Sequence, residues 1–157
     1  MGAVLRAPTE VSRNDVGHVL PPPLVGCVLL VDDMYDDLTL LAALLAPLEA
    51  TIVVARSGEE ALRMVDKQAV DLVVTDLNMP GMSGLDLARQ LRGRLDAPAV
   101  IFLTGSERAA DEVTAFELGA VAYLRKPVYI EYLTGLAREI LRVRRGKRTH
   151  GATSGTH

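Results

Sequence analysis

Between residues 24 and 145 the spacing of apolar residues switches repeatedly between two periods. Continuous aliphatic or β-branched runs lie at 27–31, 51–55, 71–75, 99–104 and 121–124. They lack the apolar–polar alternation of a half-exposed strand, which suits strands buried on both faces of a parallel sheet. The segments between them read as helices. Over 35–46, Leu38, Leu41, Ala42 and Leu45 fall on one stripe. Ser57 opens a second helix, with Glu60 placed for a capping box ahead of Ala61, Leu62 and Val65. A third helix is predicted over 83–95, and a fourth over 106–118 that stops at Gly119. A fifth, from 128 to about 145, puts Leu133, Ala137 and Ile140 on one face.

Five strand-then-helix units predict an α/β fold, an open parallel sheet with helices on both faces. Ligands of such sheets bind outside the carboxyl ends of the strands. Asp32 and Asp33 follow the first strand, Asp76 the third, Thr104 ends the fourth, and Lys126 and Pro127 follow the fifth. The second strand ends in Ala55 and Arg56, which add nothing convergent.

Composition narrows the class. The chain has 157 residues, 49% hydrophobic and 24% charged, enough for one compact domain, and this excludes wholesale disorder. Aromatics are only 4% with no Trp, so the core must be aliphatic. A single cysteine, Cys27, excludes an internal disulfide and a thiolate metal cluster and points to a reducing compartment. No apolar run reaches the roughly 18–20 residues of a spanning helix, and the first twenty lack the apolar centre of a signal peptide. The expected organisation is a flexible leader over 1–23, stiffened by Pro21-Pro22-Pro23, a domain over 24–145, and a disordered polar tail over 146–157, in a cytoplasmic protein with no membrane contact. The net charge of −3 hides an asymmetry: residues 138–157 hold six Lys or Arg and one Glu, against 11 basic and 19 acidic residues before them. The acidic part is a poor nucleic-acid surface, so direct nucleic-acid binding is not expected. The basic stretch from Arg142 to Arg148 reads as a helix end and linker. His18, His150 and His157 fall in the ends, unclustered, so metal binding and a phosphodonor role are not expected of them.

Three carboxylates on one rim disfavour each other's ionisation unless a cation compensates. Oxygen ligands suit Mg²⁺ (or Mn²⁺), Lys126 supplies a compact positive charge, and Thr104 a hydroxyl donor. A carboxylate in the position of Asp76 can attack phosphorus and form an aspartyl phosphate. The residues alone thus lead to a Mg²⁺-dependent phosphate site with an Asp nucleophile.

Four stretches then carry a family resemblance: LLVDDM (29–34), VVTDLNMPGMSGLDL (73–87), FLTGS (102–106) and GAVAYLRKP (119–127). In order, spacing and placement they resemble the response-regulator receiver domain of two-component signalling, over about 25–145. The resemblance implies a (βα)5 flavodoxin-like, doubly wound fold of five parallel strands and five helices. It implies metal binding by Asp33 directly, Asp32 through water, Asp76, and the backbone carbonyl of Asn78. Asp76 is the implied phosphoacceptor, Thr104 and Lys126 contact the phosphoryl group, and the Lys126–Pro127 peptide bond is implied to be cis. Thr104 and Tyr123 form the implied switch, which changes the face made by the fourth helix, fifth strand and fifth helix. Asn78 and Ser106 occupy positions that tune autodephosphorylation in relatives.

The implied partners are a histidine kinase or histidine phosphotransfer protein, a downstream protein or fused effector domain, and a second copy through that same face. Tyr129 and Tyr132 sit near it. The sequence beyond the fifth helix is too short for an output domain, so a stand-alone regulator or the receiver part of a longer one is expected. Beyond its own aspartyl phosphorylation and dephosphorylation the domain is not expected to be an enzyme. The alternative is an Asp-nucleophile phosphohydrolase acting on external substrates. Against it, the position where such enzymes carry a second acid holds Asn78, which cannot donate a proton as a carboxylic acid does.

Overall fold

The computed structural model describes residues 4–6 and 26–153, with side chains over 26–147. Its elements run β1 (Val4–Arg6), β2 (Cys27–Val31), α1 (Tyr35–Leu45), a 3₁₀ turn (Ala46–Leu48), β3 (Thr51–Ala55), α2 (Gly58–Lys67), β4 (Leu72–Thr75), α3 (Gly84–Arg92), β5 (Ala99–Thr104), α4 (Ala109–Glu117), β6 (Ala122–Arg125) and α5 (Ile130–Thr153). The sheet order is β1-β3-β2-β4-β5-β6. From β3 to β6 all pairings are parallel, which is the doubly wound flavodoxin-like order with its reversal beside β2.

Two aliphatic layers sandwich the sheet, as continuous apolar strands require. On one side Val28, Leu30, Val74 and Ile101 pack with Leu38, Ala42 and Leu45 of α1 and with Leu133 and Ala137 of α5. On the other, Leu29, Val31, Val73 and Phe102 meet Ala61, Leu87, Leu91 and Ala115 of α2, α3 and α4. The register aligns the carboxyl ends of the strands: Val31 pairs with Ala55 and Thr75, and Thr104 with Arg125. At the opposite end Asp71 is buried and accepts the Cys27 amide at 2.8 Å. Arg144 approaches it at 3.8 Å and Asp96 at 3.6 Å, tying α5 to the sheet.

Four boundaries differ from the sequence reading by three residues or more, the first being that of α3, which ends at Arg92 and not at 95. The leader expected over 1–23 includes a strand: Val4–Arg6 pairs antiparallel with β3, Val4 opposite Val53 and Arg6 opposite Thr51. An outer strand leaves backbone groups unpaired, and even three residues can cover them. The helix expected to end near 145 continues to Thr153, into the predicted polar tail, and within the basic stretch Arg142 pairs with Glu139 and Arg144 with Asp71 and Asp96. The rest of both predicted ends, with His18 and His157, lies outside the described residues. The fourth helix starts at Ala109 instead of 106, because Ser106 is engaged elsewhere: its amide donates to Thr104 Oγ1 and its hydroxyl to Asp111.

Helix ends follow local chemistry. Ser57 caps α2 by accepting the Glu60 amide at 3.1 Å, while the Glu60 carboxylate reaches the Arg56 amide. The full reciprocal capping box is at α3, between Ser83 and Asp86. Gly119 closes α4 at φ +90°.

The entry to α3 bears on the site. A Cβ at Gly84 would lie 2.1 Å from the Asp76 carbonyl oxygen and 3.0 Å from Leu77 Cα, so the helix packs against the loop carrying Asp76 only because that side chain is missing. Gly84→Ala is expected to cost about 2–4 kcal/mol in urea unfolding.

Candidate functional site

Backbone pairing builds the site. The Asp76 amide donates to the Val31 carbonyl at 2.9 Å, and the Asp32 amide to the Ala55 carbonyl at 3.2 Å. Residues 32 and 76 therefore leave adjacent strands side by side. The Lys126 amide donates to the Thr104 carbonyl at 2.8 Å, which brings the end of β6 onto the same rim. The Lys126–Pro127 peptide bond is cis.

Carboxylate oxygens of Asp32, Asp33 and Asp76 lie within 4.8 Å of one another. Asp32 is buried, at 7% exposure, and the other two are partly exposed. Asp32 Oδ1 accepts the Met34 amide at 3.0 Å, and Oδ2 lies 3.3 Å from Lys126 Nζ. Burial raises the Asp32 carboxyl above its ordinary value, and the Asp76 charge adds to this against the Met34 amide and Lys126. Burial also works to lower the Lys126 ammonium, but Asp32 and Asp76, with help from Asp37, outweigh it and raise its pKa. Asp76 Oδ1 accepts the Leu77 amide at 2.7 Å.

An octahedral Mg²⁺ has its ligand oxygens about 3–4 Å apart. The three carboxylates are close enough to reach that spacing with a small contraction, and a buried carboxyl resisting ionisation is one that a divalent cation would relieve. The donor set fits a hard divalent cation.

The other predicted residues surround this centre. Thr104 is fully buried and its Oγ1 accepts the Ser106 amide at 3.1 Å. Asn78 is exposed on the loop after Asp76. Tyr123 is 9% exposed and packs on the α2–α3–α4 face of the sheet, its ring 6.2 Å from that of Phe102. Burial pushes its phenol up, opposed by the nearby Ser106 hydroxyl. That hydroxyl is committed to Asp111, and among the described residues no hydrogen bond of normal geometry reaches the buried Tyr123 oxygen.

Sequence reasoning missed Asp37, whose Oδ2 stands 3.5 Å from Lys126 Nζ. A second acid after an acidic pair reads as a helix N-terminus, and only its place in the first turn of α1 reveals the contact. Also missed was an apolar groove of about 270 Å³ beside the rim, where Leu40, Leu41 and Leu44 of α1 face Pro127 and Val128.

The sequence matches the family model of the response regulator receiver domain over residues 28–138. The chain belongs to that family. It is 37% identical over 137 residues to a "Probable cyclic di-GMP phosphodiesterase" of Vibrio cholerae, covering 85% of this chain and 31% of that protein. It is 40% identical over 121 residues to the "Positive alginate biosynthesis regulatory protein" of Pseudomonas aeruginosa, covering 75% of this chain and 48% of that protein. These relatives are thus two to three times as long as the matching part. A solved signal receiver domain of an HD domain-containing protein from Pseudomonas fluorescens Pf-5 superposes with TM-score 0.73 at 29% identity, over 78% of this chain and 98% of that one. Receiver domains are signalling switches that bind Mg²⁺ through an acidic pocket, and Asp32, Asp33 and Asp76 form an acidic cluster in this chain. Among the described residues no helix is long and apolar enough to cross a membrane.

The raised Asp32 carboxyl predicts a pH effect of definite sign. Protonated Asp32 favours the fold, so its stabilisation is full below the ordinary value of 3.8 and is lost as pH rises through the higher folded value. At neutral pH without metal, Asp32→Asn is expected to stabilise the protein by about 1 kcal/mol, roughly 2–4 °C in a thermal melt. The gain should vanish in melts at pH below 3.8.

Proposed function

We propose that the chain is a phosphorylation-operated switch in which Asp76 receives a phosphoryl group from a phosphohistidine on a kinase or phosphotransfer protein. The observation that carries this reading is the convergence of Asp76, the Asp32–Asp33 pair and Lys126 on one rim. An Asp76 oxygen attacks phosphorus in line with the donor nitrogen. The P–N bond breaks, its electron pair stays on the imidazole, which takes up a proton from water, and an acyl phosphate forms. The Leu77 amide holds Oδ1 and fixes the plane of the carboxylate, leaving Oδ2 to attack. Mg²⁺, held by Asp32, Asp33, Asp76 and the Asn78 carbonyl, would supply neutralisation of the charge on the phosphoryl oxygens.

Lys126 pairs with one of those oxygens and offsets part of the negative charge that an incoming anion meets. Thr104 uses its hydroxyl only as an acceptor from Ser106 among the described residues, so its proton is available to a phosphoryl oxygen. Rotation toward that oxygen would give up the Ser106 amide and open space for Tyr123, which alters the surface of α4, β6 and α5. That surface meets the effector, either a separate protein or a domain of a longer chain, or a second copy. Exposed Val113 and Phe116 of α4, Val121 before β6, and Tyr132 of α5 give it apolar contact area. The cytoplasm, where phosphohistidine donors act, is the corresponding compartment.

Incubation with Mg²⁺ and acetyl phosphate, followed by intact-mass measurement, tests the reading. A single base-labile phosphoryl adduct is expected, absent in Asp76→Asn. No adduct on the unaltered protein overturns it, and turnover of an unrelated phosphomonoester far beyond one equivalent would favour a phosphohydrolase.

A further inference from the structure

Lys126 is shared. Its Nζ lies 3.3 Å from Asp32 Oδ2 and 3.5 Å from Asp37 Oδ2, and among the described residues no ion pair within 4.0 Å joins it to Asp76. Asp37 stands in the first turn of α1, where the helix N-terminus favours its negative charge. It is about half exposed, and the chemistry at Asp76 makes no use of it. We infer that Asp37 is a positioning residue that acts through Lys126, holding the ammonium on the α1 side of the pocket and thereby opposing formation of the aspartyl phosphate. The inference rests on the phosphoacceptor reading of Asp76.

The Asp37 pair stabilises the position of Lys126 that must be abandoned when the ammonium moves to a phosphoryl oxygen, so the loss of that pair disfavours the product and the effect runs entirely through the lysine. Partly exposed ion pairs are weak, so the brake is a modest one, worth about two- to fivefold in rate or equilibrium.

The test measures the rate of adduct formation with Mg²⁺ and acetyl phosphate. In that reaction Asp76 attacks phosphorus, the bridging P–O bond breaks, and acetate leaves with its electron pair. Asp37→Asn is expected to be about two- to fivefold faster than the unaltered protein, and Asp37→Glu to match it. Asp36→Asn removes the same charge one residue earlier, where Lys126 has no partner, and should change the rate little. In a Lys126→Met background, Asp37→Asn should have no effect, which a change in overall charge or in helix stability would not reproduce. Asp36→Asn matching Asp37→Asn, or an acceleration that survives in Lys126→Met, overturns the inference. An unchanged Asp37→Asn rate in a protein that does phosphorylate overturns the inference alone. A protein that forms no adduct loses the phosphoacceptor reading and the inference with it.

Discussion

Three carboxylates that repel one another are held on one edge of a parallel sheet, and most of the local structure can be understood as accommodating that repulsion. Asp32 meets the greatest resistance, because it is the buried member. Two groups lower the cost: the Met34 amide on Oδ1 and the Lys126 ammonium near Oδ2. Lys126 in turn is kept charged by the acids around it despite its own partial burial. The arrangement is balanced without being neutral, with Asp32, Asp33, Asp37 and Asp76 against one lysine. A divalent cation and a phosphoryl group add charges of opposite sign to such a site, so each makes the other easier to accept.

The sheet register converts this electrostatic arrangement into a fixed geometry. Asp32 and Asp76 leave neighbouring strands at paired positions, so their separation is set by the backbone spacing between strands and not by loop conformation. The loops add only the last adjustments. Gly84 allows α3 to close on the Asp76 carbonyl, and the Leu77 amide orients the Asp76 side chain. Far from the rim, Asp71 and Arg144 fasten α5 to the other end of the sheet.

The strands and four of the five helix starts were readable because each depends on a strong local signal. Five uninterrupted aliphatic runs leave little choice, and every one became a parallel strand within a residue of its predicted limits. Asp32, Asp76, Thr104 and Lys126 were identifiable because strand ends converge in this fold. What escaped depended on contacts between distant segments. Val4–Arg6 is too short to have a period of its own and is a strand only because β3 offers an open edge. Ser106 has the right residue type for a helix cap, but Thr104 and Asp111 compete for it. The capping box was expected at Ser57, where Glu60 instead reaches Arg56, and the reciprocal one lies at Ser83, where the shorter Asp86 serves. Asp37 carries the same lesson at the site itself, since its partner lies 89 positions away in the chain.

The Ser106 arrangement also limits how any change at the rim can spread. Thr104 Oγ1 is held by the Ser106 amide, Ser106 Oγ by Asp111, and Asp111 stands in the first turn of α4. Tyr123 lies behind this chain, its buried hydroxyl near Ser106 but without a hydrogen bond of normal geometry among the described residues. Drawing the Thr104 hydroxyl toward the carboxylates breaks the first of these bonds and frees the Ser106 amide. Giving up that hydrogen bond has a cost, so the move must be driven by the new contact at the rim. In the proposed switch the part that would rearrange is the loop between β5 and α4, while the carboxylate rim, pinned by strand register, would stay where it is.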